Sequence, residues 1–193
     1  VPADCLRQIY GKEPKPDLMD HLKVMTLHQG CDWVRQEYGL SAGADEIRDG
    51  INALMKQFYT QRVRVKDGAR SWLEQLHKQD VPMVIATSTD RPLVEAALEY
   101  TGLAPFFSAV FTCTEVGAGK AKPDVYEAAR AFLGTPKAQN WVFEDALFAM
   151  RTAKASGFLL AAVYDASQAA QQQEIQALCD LYIPAFSALA YPF

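Results

Sequence analysis

Apolar residues recur at helical spacing up to about Asp80, and from Val81 onward short apolar runs alternate with helical segments. In the first region the pattern predicts helices over residues 17–38, with a break at Gly30, and over residues 45–59. A third helix, from residue 67 or 68 to residue 78, leads into the second region. This change of rhythm predicts a helical domain over residues 1–64, followed by an α/β domain over residues 65–193.

The second region predicts strands over residues 81–87, 107–112, 141–143 and 159–164. Helices that begin at residues 91, 123 and 146 stand between them, and Gly102, Gly134 and Gly157 are placed to end these helices. The first strand is a continuous apolar run, as expected of a parallel strand covered on both faces. We therefore expect a doubly wound parallel sheet whose ligand site lies beyond the carboxyl ends of its strands. The Ala/Gln-biased stretch 168–173 predicts a solvated helix.

Three polar clusters stand where such a site would lie, and the first follows the strand that ends at Thr87. A hydroxyl there, together with backbone N–H groups at the start of the next helix, can hold a phosphate oxygen. This predicts phosphate contacts from Thr87 and Ser88. Ser, Thr and Asp after a strand are also ordinary helix caps, and from this cluster alone capping by Thr89 or Asp90 is the favoured interpretation.

The second cluster is a glycine-containing turn over residues 117–124 that brings two lysines to the start of a helix. A lysine at a helix N-terminus is disfavoured by the helix dipole, so its presence suggests pairing with a carboxylate or a phosphate. We expect Lys120 to reach inward for this purpose. Lys122 is expected to point to solvent.

The third cluster is the pair Glu144–Asp145, directly after the apolar run that ends at Phe143. Adjacent carboxylates at the end of a buried strand repel each other and are costly to desolvate unless a cation lies between them. Oxygen ligands completed by water and phosphate are typical of Mg²⁺. Capping of the following helix by Asp145 is an equally good explanation when this cluster is taken alone.

Composition and charge limit the classes of partner and location that are expected. Apolar residues make up 50% of the 193 residues and charged residues 22%, which is typical of a globular protein. The net charge is −4, and the sequence contains no Lys/Arg-rich run. Both features argue against nucleic-acid or membrane partners and favour a small soluble ligand. The 4 cysteines show no metal-binding spacing, so we expect free thiols in a reducing compartment. With neither a leader pattern nor a membrane-length apolar run, the predicted location is cytoplasmic.

The order of these clusters resembles the haloacid dehalogenase superfamily, in the branch of β-phosphoglucomutases and small-molecule phosphatases with a helical cap. Thr87 matches the Ser/Thr that ends a strand, and Lys120 matches the lysine of a G-K-P-x-P-D pattern, with Ala121 in place of the first proline. Glu144 and Asp145 match the acidic pair. The resemblance implies a Rossmann-like core with a helical cap and a Mg²⁺-dependent phosphohydrolase acting on a small phosphorylated metabolite. In this scheme Lys120 and Thr87 are catalytic, Thr87, Ser88 and Lys120 bind phosphate, and Glu144 or Asp145 binds the metal.

One family motif is absent from the sequence. Members begin with a strand ending in D-x-D-G-T, whose first Asp attacks phosphorus to form an aspartyl-phosphate. The resemblance places this strand in the middle of the sheet, between the strands ending at Thr87 and Phe143. We therefore expect a segment upstream of this chain, or a neighbouring chain, to complete the sheet, and we expect the chain by itself to be inactive. A phosphosugar mutase and a non-catalytic binding protein are the alternatives.

Substrate choice is expected to come from the cap. Six of its residues could face the cleft, although each is more often a solvated or packing side chain. They are His21, Lys23, His28, Trp33, Arg35 and Arg48.

Overall fold

A computed structural model describes residues 2–22 and 24–189 of the chain. The N-terminal part of the chain, up to Gln61, contains the helices α1 (Pro2–Tyr10), α2 (Leu18–Leu22), α3 (Leu27–Glu37) and α4 (Ala44–Gln61). Their apolar faces meet in one cluster of buried side chains: Cys5, Leu6, Leu18, Cys31, Val34, Ala42, Ile47 and Ile51. The helical region over residues 2–62 thus has a core of its own. The domain boundary at residue 64 stays a prediction.

The predicted break at Gly30 is wrong, because the helix is interrupted just before Thr26 instead. Thr26 caps α3 through a reciprocal pair of bonds: its hydroxyl accepts from the N–H of Gln29 (3.3 Å), and its own N–H donates to the Gln29 side chain (2.9 Å). Gly30 lies inside α3 and is buried, and a Cβ there would be 3.1 Å from Leu22 Cδ2. The glycine therefore allows close packing of α2 on α3 and does not end a helix.

The rest of the chain alternates helices and strands, as the pattern predicts. In chain order they are α5 (Ala69–Lys78), β1 (Val84–Thr87), α6 (Arg91–Thr101), β2 (Ala109–Thr112), α7 (Cys113–Val116), α8 (Asp124–Leu133), β3 (Trp141–Glu144), α9 (Leu147–Ala155), β4 (Leu159–Val163), α10 (Gln172–Leu178) and β5 (Leu181–Ile183). β1 is shorter than predicted, since Asp80 turns the chain at φ 55° and Pro82 has no N–H to donate. The helix predicted over 168–173 is a 3-10 turn followed by α10, which extends to Leu178 and buries Ile175.

The strands form two parallel sheets. β1 pairs with β2, with Thr87 opposite Thr112, and β4 lies between β3 and β5, with Glu144 opposite Ala162. Within the described residues no strand joins β1 to β3, so each of these strands has one edge without a strand partner. The gap between β1 and β3 lies where the family resemblance places the strand that ends in D-x-D-G-T. The predicted class, a parallel α/β core preceded by helices, is confirmed.

Helix packing holds the two sheets together. On one face α8 contacts β1 and β2 while α9 contacts β3 and β4, and their buried side chains form a single cluster that includes Tyr126, Met150 and Leu160. On the other face Trp72 of α5 packs against Phe143 of β3, with the ring centroids 4.9 Å apart. Burying one such large apolar side chain contributes about 1.5–3 kcal/mol. The cluster around Trp72 also includes Met83, next to β1, so the apolar side chains on both faces connect the two sheets.

Two further predictions concern the state of the cysteines and membrane-spanning helices. All four cysteines are free thiols, as predicted, and Cys5, Cys31 and Cys113 are buried. Over residues 2–22 and 24–189, none of the helices has the length and apolar character needed to cross a membrane.

Candidate functional site

Lys120 and Glu144 form an ion pair at the carboxyl end of β3. Lys120 comes from the turn before α8, and its ammonium group contacts Glu144 Oε1. The Lys120 side chain is 15% exposed and that of Glu144 only 5% exposed, so the pair is largely removed from water. Lys122 is exposed. The two lysines are therefore placed as the sequence predicts, with Lys120 directed to the acidic pair and Lys122 to solvent.

Tyr126 is a third member of this group that the sequence analysis did not single out. Its hydroxyl donates to the same Glu144 Oε1 over 2.8 Å, and Lys120 Nζ lies 5.7 Å from the centroid of its ring. Burial is the main cause, and the Glu144 carboxylate the second, of a strongly raised pKa of the Tyr126 hydroxyl. The phenol therefore stays a hydrogen-bond donor. Its position next to Val125 and Ala129 on the apolar face of α8 gave no sequence signal that separates it from a core residue.

Asp145 stands beside this pair without an ion-pair partner in the part of the chain that the structure describes. Its backbone N–H donates to Glu144 Oε2 over 3.3 Å. Burial and, secondly, the charge of Glu144 raise the pKa of the Asp145 carboxyl. Asp145 does not cap α9, because the N-cap position is Ala146. The capping explanation is therefore wrong, and a partly buried carboxyl remains next to a carboxylate, where a cation would be stabilised.

Thr87 and Ser88 lie at the carboxyl end of β1, on the other sheet. The Thr87 hydroxyl accepts a bond from the N–H of Thr89 (3.0 Å), which leaves its own proton available to a ligand. Ser88 is exposed, and its Oγ lies 3.5 Å from Cys113 Sγ. No hydrogen bond between described residues joins Thr87 or Ser88 to Lys120. The structure thus brings together Lys120, Glu144 and Asp145, whereas Thr87 and Ser88 border the site from across the division in the sheet.

Asp90, proposed above as a cap of α6, occupies the N-cap position, but its side chain caps nothing. Its carboxylate instead accepts bonds from Thr114 Oγ1 (2.7 Å) and from Asn52 Nδ2 of α4 (3.4 Å). A cavity of about 410 Å³ adjoins this network and is lined by α4, by Asp90 and by Thr112, the last residue of β2. The cavity therefore lies between the helical region and the carboxyl edge of β2.

A second ion pair lies at the carboxyl end of β4. Lys66 donates to Asp165 Oδ2 over 2.8 Å and to the carbonyl of Tyr164 over 3.1 Å. The Lys66 ammonium is the main cause of an Asp165 pKa lowered to about 2. This pair has no signal in the sequence, because its members are 99 residues apart.

The helical-region residues proposed for substrate choice are engaged in local contacts. His21 stacks on Trp33 with the ring centroids 4.7 Å apart, and His28 pairs with Asp32. Arg35 and Arg48 also pair with carboxylates of their own helices. Lys23 lies outside the described residues. These contacts agree with the simpler interpretation of solvated or packing side chains.

The fold and site define a parallel α/β protein with a lysine–acid cluster at the carboxyl edge of its sheet. A family model described as haloacid dehalogenase-like hydrolase matches residues 13–157. The bifunctional riboflavin kinase/FMN phosphatase of Arabidopsis thaliana is 28% identical over 171 residues, covering 84% of this chain and 44% of that protein. Fructose-1-phosphate phosphatase YqaB of Escherichia coli K12 is 34% identical over 76 residues, which is 39% of this chain and 40% of that protein.

The crystal structure of CbbY from Rhodobacter sphaeroides in complex with phosphate has the same fold. Its TM-score is 0.84, with 98% of this chain and 87% of that chain covered at 16% identity. The chain spans less than half the length of the two curated relatives named above. Because the family model matches most of its residues, the chain belongs to the haloacid dehalogenase-like hydrolases.

Proposed function

We propose that this protein is a Mg²⁺-dependent phosphohydrolase that releases inorganic phosphate from a small phosphorylated metabolite. The observation that carries the proposal is the buried Lys120–Glu144 pair with Asp145 beside it, at the carboxyl edge of a parallel sheet. The two curated relatives described above both have a phosphatase activity in their names, which favours the same class of reaction.

Asp145 and the second oxygen of Glu144 are the residues that would hold Mg²⁺. Tyr126 and Lys120 occupy Glu144 Oε1, so that Oε2 and the Asp145 carboxyl remain as donors. The described residues contain no group of three or more His, Cys, Asp or Glu side chains that could hold a metal, so water, phosphate and another segment would complete the coordination. When bound, the metal would neutralise charge on the phosphoryl oxygens.

The side chains of this chain act by binding and orienting the phosphoryl group. Lys120 lies beside the acidic pair and supplies a fixed positive charge for the transferring group. Thr87 would donate its hydroxyl proton to a phosphate oxygen, because its oxygen already accepts from the N–H of Thr89. The backbone N–H of Ser88 would bind a second oxygen.

The nucleophile would come from a strand that pairs between β1 and β3, which the family resemblance supplies as D-x-D-G-T. Among the described residues β1 and β3 each have one edge without a strand partner, which supports this proposal, because a parallel strand placed there would satisfy both edges. Such a strand would belong to a segment upstream of residue 1 or to a neighbouring chain. Its first aspartate would attack phosphorus as the bond to the metabolite oxygen breaks, and the second aspartate would protonate the leaving alcohol. Water, deprotonated by the same second aspartate, would then hydrolyse the aspartyl-phosphate to the free carboxylate and inorganic phosphate. A cytoplasmic location stays a prediction from the sequence.

Hydrolysis of p-nitrophenyl phosphate tests the proposal. We expect the 193-residue chain to show only background activity with Mg²⁺. A form extended upstream to include D-x-D-G-T is expected to turn over the substrate and to lose its activity with EDTA. In that form, Lys120→Ala should lower kcat by about two orders of magnitude, the scale for losing one preorganised charge, whereas Lys122→Ala serves as the matched control.

Two outcomes would contradict this scheme. Equal losses from Lys120→Ala and Lys122→Ala would show that the buried ion pair is not the catalytic lysine site. Metal-dependent turnover by the 193-residue chain would require a nucleophile among its own residues, provided that a Glu144→Ala/Asp145→Ala double variant is inactive and so excludes a contaminating phosphatase.

A further inference from the structure

The Glu144 carboxylate accepts hydrogen bonds from three donors. Oε1 accepts from the Lys120 ammonium and from the Tyr126 hydroxyl at 2.8 Å, and Oε2 accepts from the Asp145 N–H at 3.3 Å. Of these donors, Lys120 is on a turn with Gly117 and Gly119 close by, and a lysine side chain has four rotatable bonds. A fixed position for the Lys120 ammonium therefore requires a fixed position for the carboxylate.

Tyr126 is well suited to provide that fixed position. It lies in the first turns of α8, is 3% exposed, and its ring packs against Phe158 with the centroids 6.2 Å apart. Packing on a helix leaves the ring little freedom, so the hydroxyl is a donor with a set direction. Lys120 Nζ lies 5.7 Å from the centroid of the same ring, so Tyr126 contacts both members of the ion pair.

We propose that Tyr126 is a positioning residue that fixes the Glu144 carboxylate and, through it, the ammonium group of Lys120. This inference rests on the proposed phosphohydrolase function for its effect on catalysis. The hydroxyl, rather than the ring, positions the Glu144 carboxylate, because only the hydroxyl forms a hydrogen bond to it. A hydroxyl that merely satisfied a buried polar group would contribute to stability and leave the orientation of Lys120 unchanged.

Tyr126→Phe removes the hydroxyl and keeps the ring, and Tyr182→Phe is the matched control. Tyr182 also donates from a partly buried hydroxyl to a side chain, Gln172 Oε1 at 2.8 Å, but it lies on β5. In ¹⁵N-lysine-labelled protein, the Lys120 NH₃⁺ resonance can be assigned by its absence in Lys120→Met. We expect Tyr126→Phe to shift or broaden this resonance and Tyr182→Phe to leave it in place. An unmoved resonance in Tyr126→Phe, or equal changes in both variants, would overturn the proposal.

Kinetics of the active, upstream-extended form provide the second measurement. Tyr126→Phe should lower kcat by about tenfold, the scale for losing a side chain that orients a ligand or catalytic group, with KM within about twofold of wild type. In a Lys120→Met background, Tyr126→Phe should cause no further loss, because its effect passes through Lys120. If Tyr126→Phe lowered kcat equally in the wild type and in Lys120→Met, its effect would not act through Lys120. Absence of turnover in the wild type would contradict the phosphohydrolase proposal alone, and the NMR result would still decide the role of Tyr126.

Discussion

The ion pair between Lys66 and Asp165 links the end of the helical region to the sheet that contains β3–β5. Lys66 follows α4 by a few residues, whereas Asp165 follows β4, and the Lys66 ammonium also donates to the carbonyl of Tyr164. The Asp165 carboxylate accepts a further bond from the N–H of Ser167 at 3.0 Å. Replacing Asp165 with Asn removes the charge and retains an oxygen that can accept from Ser167. The variant Asp165→Asn therefore isolates the electrostatic part of the contact.

The expected cost follows from the pKa of Asp165. A fall from 3.8 to about 2 corresponds to about 2.5 kcal/mol of stabilisation of the folded state by the ionised carboxylate. The side chains of Asp165 and Lys66 are 32% and 48% exposed, so solvent screening reduces this to about 1 kcal/mol. Because the pKa is lowered on folding, the stabilisation is fully present above the unfolded pKa, near 4. It is lost as the pH falls from about 4 towards 2.

Urea unfolding at pH 6 and at pH 3 measures this contribution. We expect Asp165→Asn to lower the free energy of unfolding by about 1 kcal/mol at pH 6 and by clearly less at pH 3. Exposed Asp67, next to Lys66 in the chain, provides the control variant Asp67→Asn, which should have little effect. Lys66→Met removes the ion pair together with the bond to the Tyr164 carbonyl, so it should cost at least as much as Asp165→Asn. In the Lys66→Met background, Asp165→Asn should cost clearly less than in the wild type. A loss of the same size at both pH values would refute the electrostatic explanation.

Two other predictions concern backbone and side-chain contacts. Gly68→Ala should destabilise the protein by more than about 3 kcal/mol in urea unfolding, because φ is +76° and the new Cβ would be 2.2 Å from Ser187 N. Gly134→Ala, with φ of +69° and open space, should cost only about 1 kcal/mol, and equal costs would contradict the clash. Asp90→Ala should accelerate amide hydrogen exchange in α4, because the Asn52 contact is lost; unchanged exchange would show that Asp90 does not hold α4.

Periodicity and glycine placement were sufficient to predict most of the elements. Gly102 and Gly134 end α6 and α8 in the left-handed conformation, which a glycine adopts without strain. The error at Gly30 has a physical reason, because a glycine can serve either a turn or a close helix contact, and only the position of Leu22 distinguishes them. β5 was missed because three residues give too short a pattern for period-two alternation to be recognised.

The candidate site was predictable to the extent that its residues follow strands or begin helices. Lys120, Glu144 and Asp145 could be found because carboxyl ends of parallel strands meet at one edge of a sheet. Tyr126 could not, since a tyrosine on an apolar helix face has the pattern of an ordinary core residue. The direction of the Asp90 side chain could not be predicted either, because its partner Asn52 is 38 residues away in the sequence.

The two adjacent carboxylates show how the tertiary environment gives different roles to residues that the sequence presents as equivalent. Glu144 has two donors on one oxygen, Lys120 and Tyr126, so its charge is compensated within the protein. Asp145 is partly buried beside that charge and forms no ion pair among the described residues, and burial together with Glu144 raises its pKa. The folded protein therefore destabilises a negative charge on Asp145, and a bound cation would relieve this cost. Lys120 therefore does not remove the cost of a negative charge on Asp145, and a second positive charge next to Asp145 would lower that cost.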